Sequence, residues 1–324
     1  MHLRFLSAAC AAGFIFLSSA LLAETPPDAS ATRELIRDPH FERGCILNEP
    51  QADSGRHVEY GTIAGVRSDG KPVWGLAQWA SKEKLSPAPS ESLPSGALCY
   101  RNAAKAVTFG RTGTTDADLT LEVIGRSEYG RRLRKADEPW VHLLVEQGFE
   151  DPPALTALSG VRFRVSVRLK DIRRWDEPGY QPGLHAASFP IFISVQNKNR
   201  ESPGYGQFLW FGIPVYDDRS RMPTSYQALD PGTGMFIYAP DSEEFMGRSV
   251  HASAWVTIDK DLLPLMREGL KTAWERGYLK DSQSLADYHI VGMNLGWEVT
   301  GIFDVAMQLR DLSLTVTKQT DAKY

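Results

Sequence analysis

The chain has 324 residues and a formal net charge of −4, with 42% hydrophobic and 23% charged residues. That balance, with no run of Lys and Arg, lacks the electrostatic footprint of a nucleic-acid binder. The length suits one large β domain, and three cysteines are too few for a disulfide-built scaffold.

Arg4 sits in a short basic segment, Phe5 to Leu22 is apolar, and Ala23 precedes the polar Glu24-Thr25-Pro26-Pro27. This is the pattern of a secretory signal cleaved after Ala23, although Leu21 at the −3 position is larger than ideal. Residues 1–23 are therefore expected to leave, and the mature protein to be periplasmic or extracellular. A retained anchor is the alternative, because the apolar run approaches the ~18-residue length a membrane span needs. Cys10 is not read as a lipid-attachment site: Ser7-Ala8-Ala9 lacks a large aliphatic residue, and apolar sequence continues after it. No later segment is long and apolar enough to span a membrane. In an oxidising compartment the remaining Cys45 and Cys99 are expected to form one disulfide, two free buried thiols being the alternative. Residues 24–34 are read as a flexible mature N-terminus, 35–317 as a single β-sandwich domain and 318–324 as a tail. Ser86 to Gly96 reads as a loop rich in Pro and Ser.

Most of the middle alternates with period two. Leu119, Leu121 and Val123 alternate with Thr120, Glu122 and Ile124; Val141, Leu143 and Val145 alternate with Trp140, His142, Leu144 and Glu146. Val161 to Leu169 alternates with Arg162, Arg164, Ser166 and Arg168. Phe189, Ile191, Ile193 and Val195 lie opposite Phe192, Ser194, Gln196 and Lys198. Leu209, Phe211, Ile213 and Val215 point one way, Phe208, Trp210 and Tyr216 the other. Ala254 to Ile258 and Phe303 to Leu309 complete the strands. Leu262, Met266, Leu270 and Trp274 predict one amphipathic helix over 261–277, capped by Asp261 and ended by Gly277. The class is mainly β, an antiparallel sandwich of the jelly-roll kind.

If the aliphatic rows form the core, the opposite rows gather Glu122, Trp140, His142, Glu146, Gln196, Trp210 and Tyr216. Aromatic planes stack on the C–H faces of sugar rings while carboxylates and amides bind hydroxyls. Trp140, Gln196, Trp210 and Tyr216 are the candidate ligand-binding residues. The alternative is that the helix or a long loop covers this aromatic row. On the first reading Trp210 and Tyr216 mark separate subsites of a polysaccharide or oligosaccharide.

Asp38 to Gly44, "DPHFERG", and Leu309 to Val316, "LRDLSLTV", resemble the first and last strands of galactose-binding-like jelly-roll carbohydrate-binding modules. The resemblance covers those two segments only, and this chain is far longer than the usual module. It implies that the two ends pair, with a structural calcium held by Glu42, Asp311 and main-chain carbonyls.

"RSEYGRR" from Arg126 to Arg132, followed by "VHLLVEQ", faintly resembles elements of jelly-roll alginate lyases, departing from them where Trp140 and Val141 precede His142. Carried over, Arg126 and Gln196 neutralise a uronate, and His142 or Tyr216 takes its proton. Glu122 and Glu146 are alternatively a glycosidase's two carboxylates, with Glu298 and Asp304 as further candidates. No nucleophile elbow, phosphate loop, His metal cluster or dinucleotide fingerprint is present, so no organic cofactor is expected. The leading reading is an exported carbohydrate-binding sandwich. The alternatives are a polysaccharide lyase or glycoside hydrolase using the same face, and a structural envelope interaction protein.

Overall fold

The structure, a computed structural model, describes residues 32–50, 57–87 and 91–319. The expected signal segment, most of the expected mature N-terminus, part of the Ser86–Gly96 loop and most of the tail lie outside the described residues.

In chain order the strands are β1 (Thr32–Glu34), β2 (Gly44–Pro50), β3 (His57–Ala64), β4 (Trp74–Ala77), β5 (Glu91–Ser92), β6 (Leu98–Arg101), β7 (Lys105–Phe109) and β8 (Leu119–Ile124). A four-residue helix α1 (Gly125–Glu128) precedes β9 (Val141–Gly148), β10 (Leu158–Arg174), β11 (Ala187–Asn197), β12 (Phe208–Asp217), β13 (Tyr226–Leu229), β14 (Phe236–Ala239) and β15 (Val256–Asp261). Helix α2 (Leu263–Glu275), β16 (Tyr288–Val299) and β17 (Phe303–Lys318) complete the chain.

Two sheets form the sandwich. One runs β15-β10-β17-β8-β7-β6-β5, with β1 also on β17; the other runs β13-β14-β12-β11-β16-β9-β4-β2-β3. The pairs β2–β4 and β12–β14 are parallel, so the expected antiparallel sandwich is mainly, not wholly, antiparallel. Alternation explains the layering: Val161, Phe163, Val165, Val167 and Leu169 of β10 are fully buried, as are Phe189, Ile191 and Ile193 of β11. Removing such rows from water on one face each is the main stabilising term, at roughly 25 cal/mol per Å² of apolar surface.

The two ends do pair. Thr32 lies opposite Thr317, and Glu34 accepts hydrogen bonds from Leu314 N (2.9 Å) and Ser313 Oγ (2.5 Å). Residues 32–34 are thus a strand, not part of a flexible N-terminus, and β17 runs one residue past the expected boundary at 317.

Helix α2 is the predicted one. Asp261 Oδ1 accepts from Leu263 N at 3.1 Å, and Gly277, at φ +81°, takes the left-handed position after its C-terminus. It buries Met266, Leu270 and Ala273. A Cβ on Gly269 would come 2.8 Å from the Tyr238 ring and 3.0 Å from Leu209. The helix therefore packs on the Leu209 side of β12, leaving the Trp210 side uncovered by it.

Cys45 and Cys99 are both free and buried, in place of the expected disulfide. Cys45 lies in the core between the sheets, and burial pushes its thiol far up. On β6 it is Tyr100 that joins the core, so Cys99 points to the opposite face with Arg101, whose Nη2 approaches its sulfur at 3.6 Å. Cys99 thus faces away from the core that holds Cys45, and the two thiols are unbonded.

Candidate functional site

The outward face of the nine-stranded sheet carries the candidate site. Its nine strands contain no Lys or Arg, whereas β10 alone carries Arg162, Arg164, Arg168, Lys170, Arg173 and Arg174. Register aligns the face in rows. His142 of β9 is opposite Glu298 of β16, which is opposite Ser188 of β11. Two residues along β9 from Leu144, Glu146 is opposite Asn294, and Asn294 opposite Phe192. Further along, Gly292 meets Ser194, and Ser194 meets Trp210. Two aromatic groups flank this face. Phe208 packs edge-on against Trp210 with centroids 4.7 Å apart, and Phe192 lies 5.7 Å from Trp210. Six residues of β16 separate this row from Glu298, roughly 20 Å, and there Trp79 and Trp140 stand 5.3 and 5.7 Å from the His142 ring.

His142 and Glu298 are register partners, and the charge of Asp230 acts on both. The His142 Nδ1–H donates to the Trp140 carbonyl at 3.0 Å, which leaves Nε2 as an acceptor. Burial pulls the imidazole down to about 4, against smaller opposing effects of that carbonyl and of Asp230. Burial raises the Glu298 carboxyl to about 7; the Asp230 charge raises it further, and the nearby Trp140 indole N–H opposes both. That N–H is buried and closes no hydrogen bond of its own. Asp230 is held on the turn after β13, where its Oδ2 accepts from Thr233 N (2.8 Å) and Thr233 Oγ1 (2.6 Å). The same Thr233 hydroxyl accepts from Trp210 Nε1 at 3.2 Å, so the turn is tied to the aromatic row. A carboxylic acid protonated up to neutral pH, opposite an imidazole acceptor and within the field of a second carboxylate, can donate a proton to a bound oxygen.

The expected site residues are divided by this arrangement. Trp140, His142, Glu146, Gln196 and Trp210 belong to the nine-stranded sheet's outer side, but not to one cluster. Gln196 pairs with His289, nine residues along β16 from Glu298 or roughly 30 Å, and its amide donates to Gly206 O at 2.9 Å. Glu146 lies over Gly75 and accepts from Asn48 Nδ2 at 3.2 Å, turned away from β16. Glu122 faces outward on β8 of the other sheet, so the expected Glu122–Glu146 pair does not exist. Arg126 is on α1 with its guanidinium 3.9 Å from the Trp175 ring, away from His142. Asp304 is outward on β17 and accepts from Trp175 Nε1 at 2.7 Å.

Tyr216 is also not on the aromatic face. A register shift at Phe189/Pro190 places Pro190 opposite Pro214 but Phe189 opposite Tyr216, which makes Val215 an extra residue. The bulge turns Tyr216 inward, where it is 1% exposed and packs 5.6 Å from Trp297. Asp230 and Trp79 were missed from sequence. The signal for Asp230 was the turn "DPGTG" between two short aliphatic-aromatic segments, at Asp230 to Gly234.

Glu42 and Asp311 take separate partners. Glu42 accepts from Thr112 N at 3.1 Å and lies 3.6 Å from Arg67; Asp311 accepts from Ser166 Oγ at 3.2 Å and lies 3.6 Å from Arg310. Among the described residues no group of three or more His, Cys, Asp or Glu is disposed to hold a metal ion. No described helix is long and apolar enough to cross a membrane.

No family model matches the chain. No curated protein matches it either. Among solved structures it is similar to endoglucanase cel12A from Rhodothermus marinus, at 13% identity and a TM-score of 0.38, covering 73% of this chain and 99% of that one. A native family 12 xyloglucanase from Bacillus licheniformis gives 10% identity and 0.39 over 72% and 99%. The family 11 xylanase from Neocallimastix patriciarum gives 8% and 0.36 over 75% and 100%. Likeness at this level adds nothing to the argument for function, which rests on the chain's own geometry.

Proposed function

We propose that this protein is a glycoside hydrolase acting on an uncharged polysaccharide laid across the outer face of the nine-stranded sheet. The observation that carries the reading is Glu298, the register partner of His142 on the outer face and close to the Trp140 indole, whose half-buried carboxyl is raised to about 7 by desolvation and by the Asp230 charge. In this reading Glu298 is the general acid that protonates the departing glycosidic oxygen, and Asp230 is the second carboxylate. The neutral His142 Nε2 accepts a sugar hydroxyl. Phe192, Phe208 and Trp210 at one end and Trp79 and Trp140 at the other stack the rings of an extended chain. Binding without chemistry accounts for the aromatics but gives no role to a carboxyl held protonated.

The lyase alternative is less well supported: the strands of this sheet carry no Lys or Arg, Gln196 is far from His142, and Arg134 beside Trp140 donates to main-chain carbonyls. A panel of neutral and uronate-containing polymers, scored for new reducing ends and for unsaturated ends, tests the reading. Reducing ends from a neutral polymer are expected. Retention of polymers without release would leave only a binding protein, and unsaturated ends would make it a lyase.

A further inference from the structure

On the eight-stranded sheet's side of the molecule, Trp175 follows the last residue of β10. Its Nε1–H donates to Asp304 Oδ2 at 2.7 Å, which fixes the plane of the ring. The Arg173 guanidinium lies 3.4 Å from the ring centroid and that of Arg126 3.9 Å. Both distances are at van der Waals contact, so the two groups fit only on opposite faces of the indole. Stacking uses the flat face of a guanidinium and leaves its N–H donors pointing outward in their own plane.

Those donors are not consumed elsewhere. Among the described residues neither arginine forms an ion pair, and Arg126 Nε is buried without a hydrogen-bond partner. Their neighbour Arg174 is not spare: it bonds Asp176 at 3.3 Å and stacks over Tyr180 at 4.9 Å. Asp304 is the acid against the cluster, bonded to the indole through one oxygen and with the other buried and unpartnered. At the ring itself two guanidiniums meet one carboxylate, while Asp171 and Glu122 flank Ala306 one row further along the same face. Because the ring already holds both side chains, binding an anion there would order little that is not ordered already.

We propose that Arg126 and Arg173, held on the two faces of Trp175, form an oxyanion-binding clamp for a sulfate, phosphate or carboxylate group. It is separate from the proposed hydrolytic face. Its outcome does not depend on whether that face cleaves a glycan.

The test is titration of the intact protein with sodium sulfate, sodium phosphate and sodium acetate, following indole and arginine N–H signals by NMR. The Trp175 signal is identified by its loss in Trp175→Phe. The clamp predicts saturable shifts of the Trp175 and Arg126 signals beyond those given by sodium chloride at matched ionic strength. Arg173→Gln is expected to raise the dissociation constant about tenfold or more, and Arg173→Lys, which keeps charge but not the planar fork, to restore only part of it. Glucose 6-phosphate, glucose 6-sulfate and glucose then separate a sugar-borne oxyanion from the free ion. Shifts matched by sodium chloride, or an unchanged constant in folded Arg173→Gln, would overturn the clamp. So would full restoration by Arg173→Lys, which would reduce the site to diffuse charge.

Discussion

His142 and Glu298 face one another as register partners on β9 and β16, and burial moves them in opposite directions, to about 4 and about 7. Between those values the pair is a neutral imidazole beside a neutral carboxylic acid, not an ion pair. Desolvation dominates both shifts, as it does for charges taken from water without enough partners. The result is a proton held on Glu298 and a lone pair held on His142 at the same end of one aromatic face.

Holding that proton has a consequence for stability. The ordinary carboxyl value of 4.5 is raised to about 7 in the fold, so between these values the unfolded chain has lost a proton that the native state keeps. Stability therefore falls as pH rises from about 4.5 to 7 and levels off above. Glu298→Gln removes the penalty. The variant should melt higher than the parent at pH 8, by the equivalent of about 3 kcal/mol, and show little difference at pH 4. Melting curves at both values check this.

Trp210 and Tyr216 should separate cleanly. Tyr216 is buried against Trp297, and Tyr216→Ala should cost about 3–5 kcal/mol, as truncated core aromatics do. Its hydroxyl has no partner, so Tyr216→Phe should be neutral or slightly stabilising. Trp210→Ala removes a partly exposed ring and one bond to Thr233, and should cost about 1 kcal/mol. Its larger effect should be weaker retention of long oligosaccharides. Denaturant midpoints and affinity electrophoresis on the three variants provide the readout.

The thiols give a third test. With Cys45 and Cys99 on opposite faces of their layers, native and reduced protein should have the same intact mass. Alkylation should be slow in the native state and reach two adducts in denaturant without reductant. A native mass rising on reduction, or no adducts in denaturant, would show the pair bonded.

Lys105 and Glu128 are both 0% exposed and paired, with Ser81 Oγ and the Glu83 carbonyl completing the lysine's bonds. Glu128 also accepts from Ser81 Oγ (2.6 Å) and Lys82 N (2.9 Å), anchoring the loop that follows Trp79. Glu128→Gln leaves a buried ammonium uncompensated and should cost about 3–5 kcal/mol. Lys105→Met combined with Glu128→Leu should cost less than the sum of the two single changes, as measured by urea unfolding.

Much of the fold was legible because alternation and burial are the same fact seen twice. Val161 to Leu169, Phe189 to Val195 and the helix around Met266 and Leu270 all follow their periods. What alternation does not carry is a change of phase or the identity of a sheet. Tyr216 was misplaced because one extra residue, Val215, inverts the pattern at the strand's end. Glu122 was grouped with Glu146 because equal spacing says nothing about which sheet a strand joins. Cys45 and Cys99 were paired on compartment chemistry, although the alternation of Cys99 with Tyr100 was enough to point one sulfur outward once Tyr100 was core. Glu298 was visible only as one carboxylate among several, because its raised value comes from burial and from Asp230, 68 residues earlier in the chain.

The central claim is that Glu298 supplies a proton to a glycosidic oxygen. It is tested most directly by assaying Glu298→Gln and the parent on the same neutral polysaccharide, for both retention and release of reducing ends. The account predicts that the parent releases product with an activity limb falling above about pH 7. It predicts that the variant retains the polymer equally well while release drops by about 10²-fold or more. Release by Glu298→Gln at the parent's rate and pH profile would contradict the assignment.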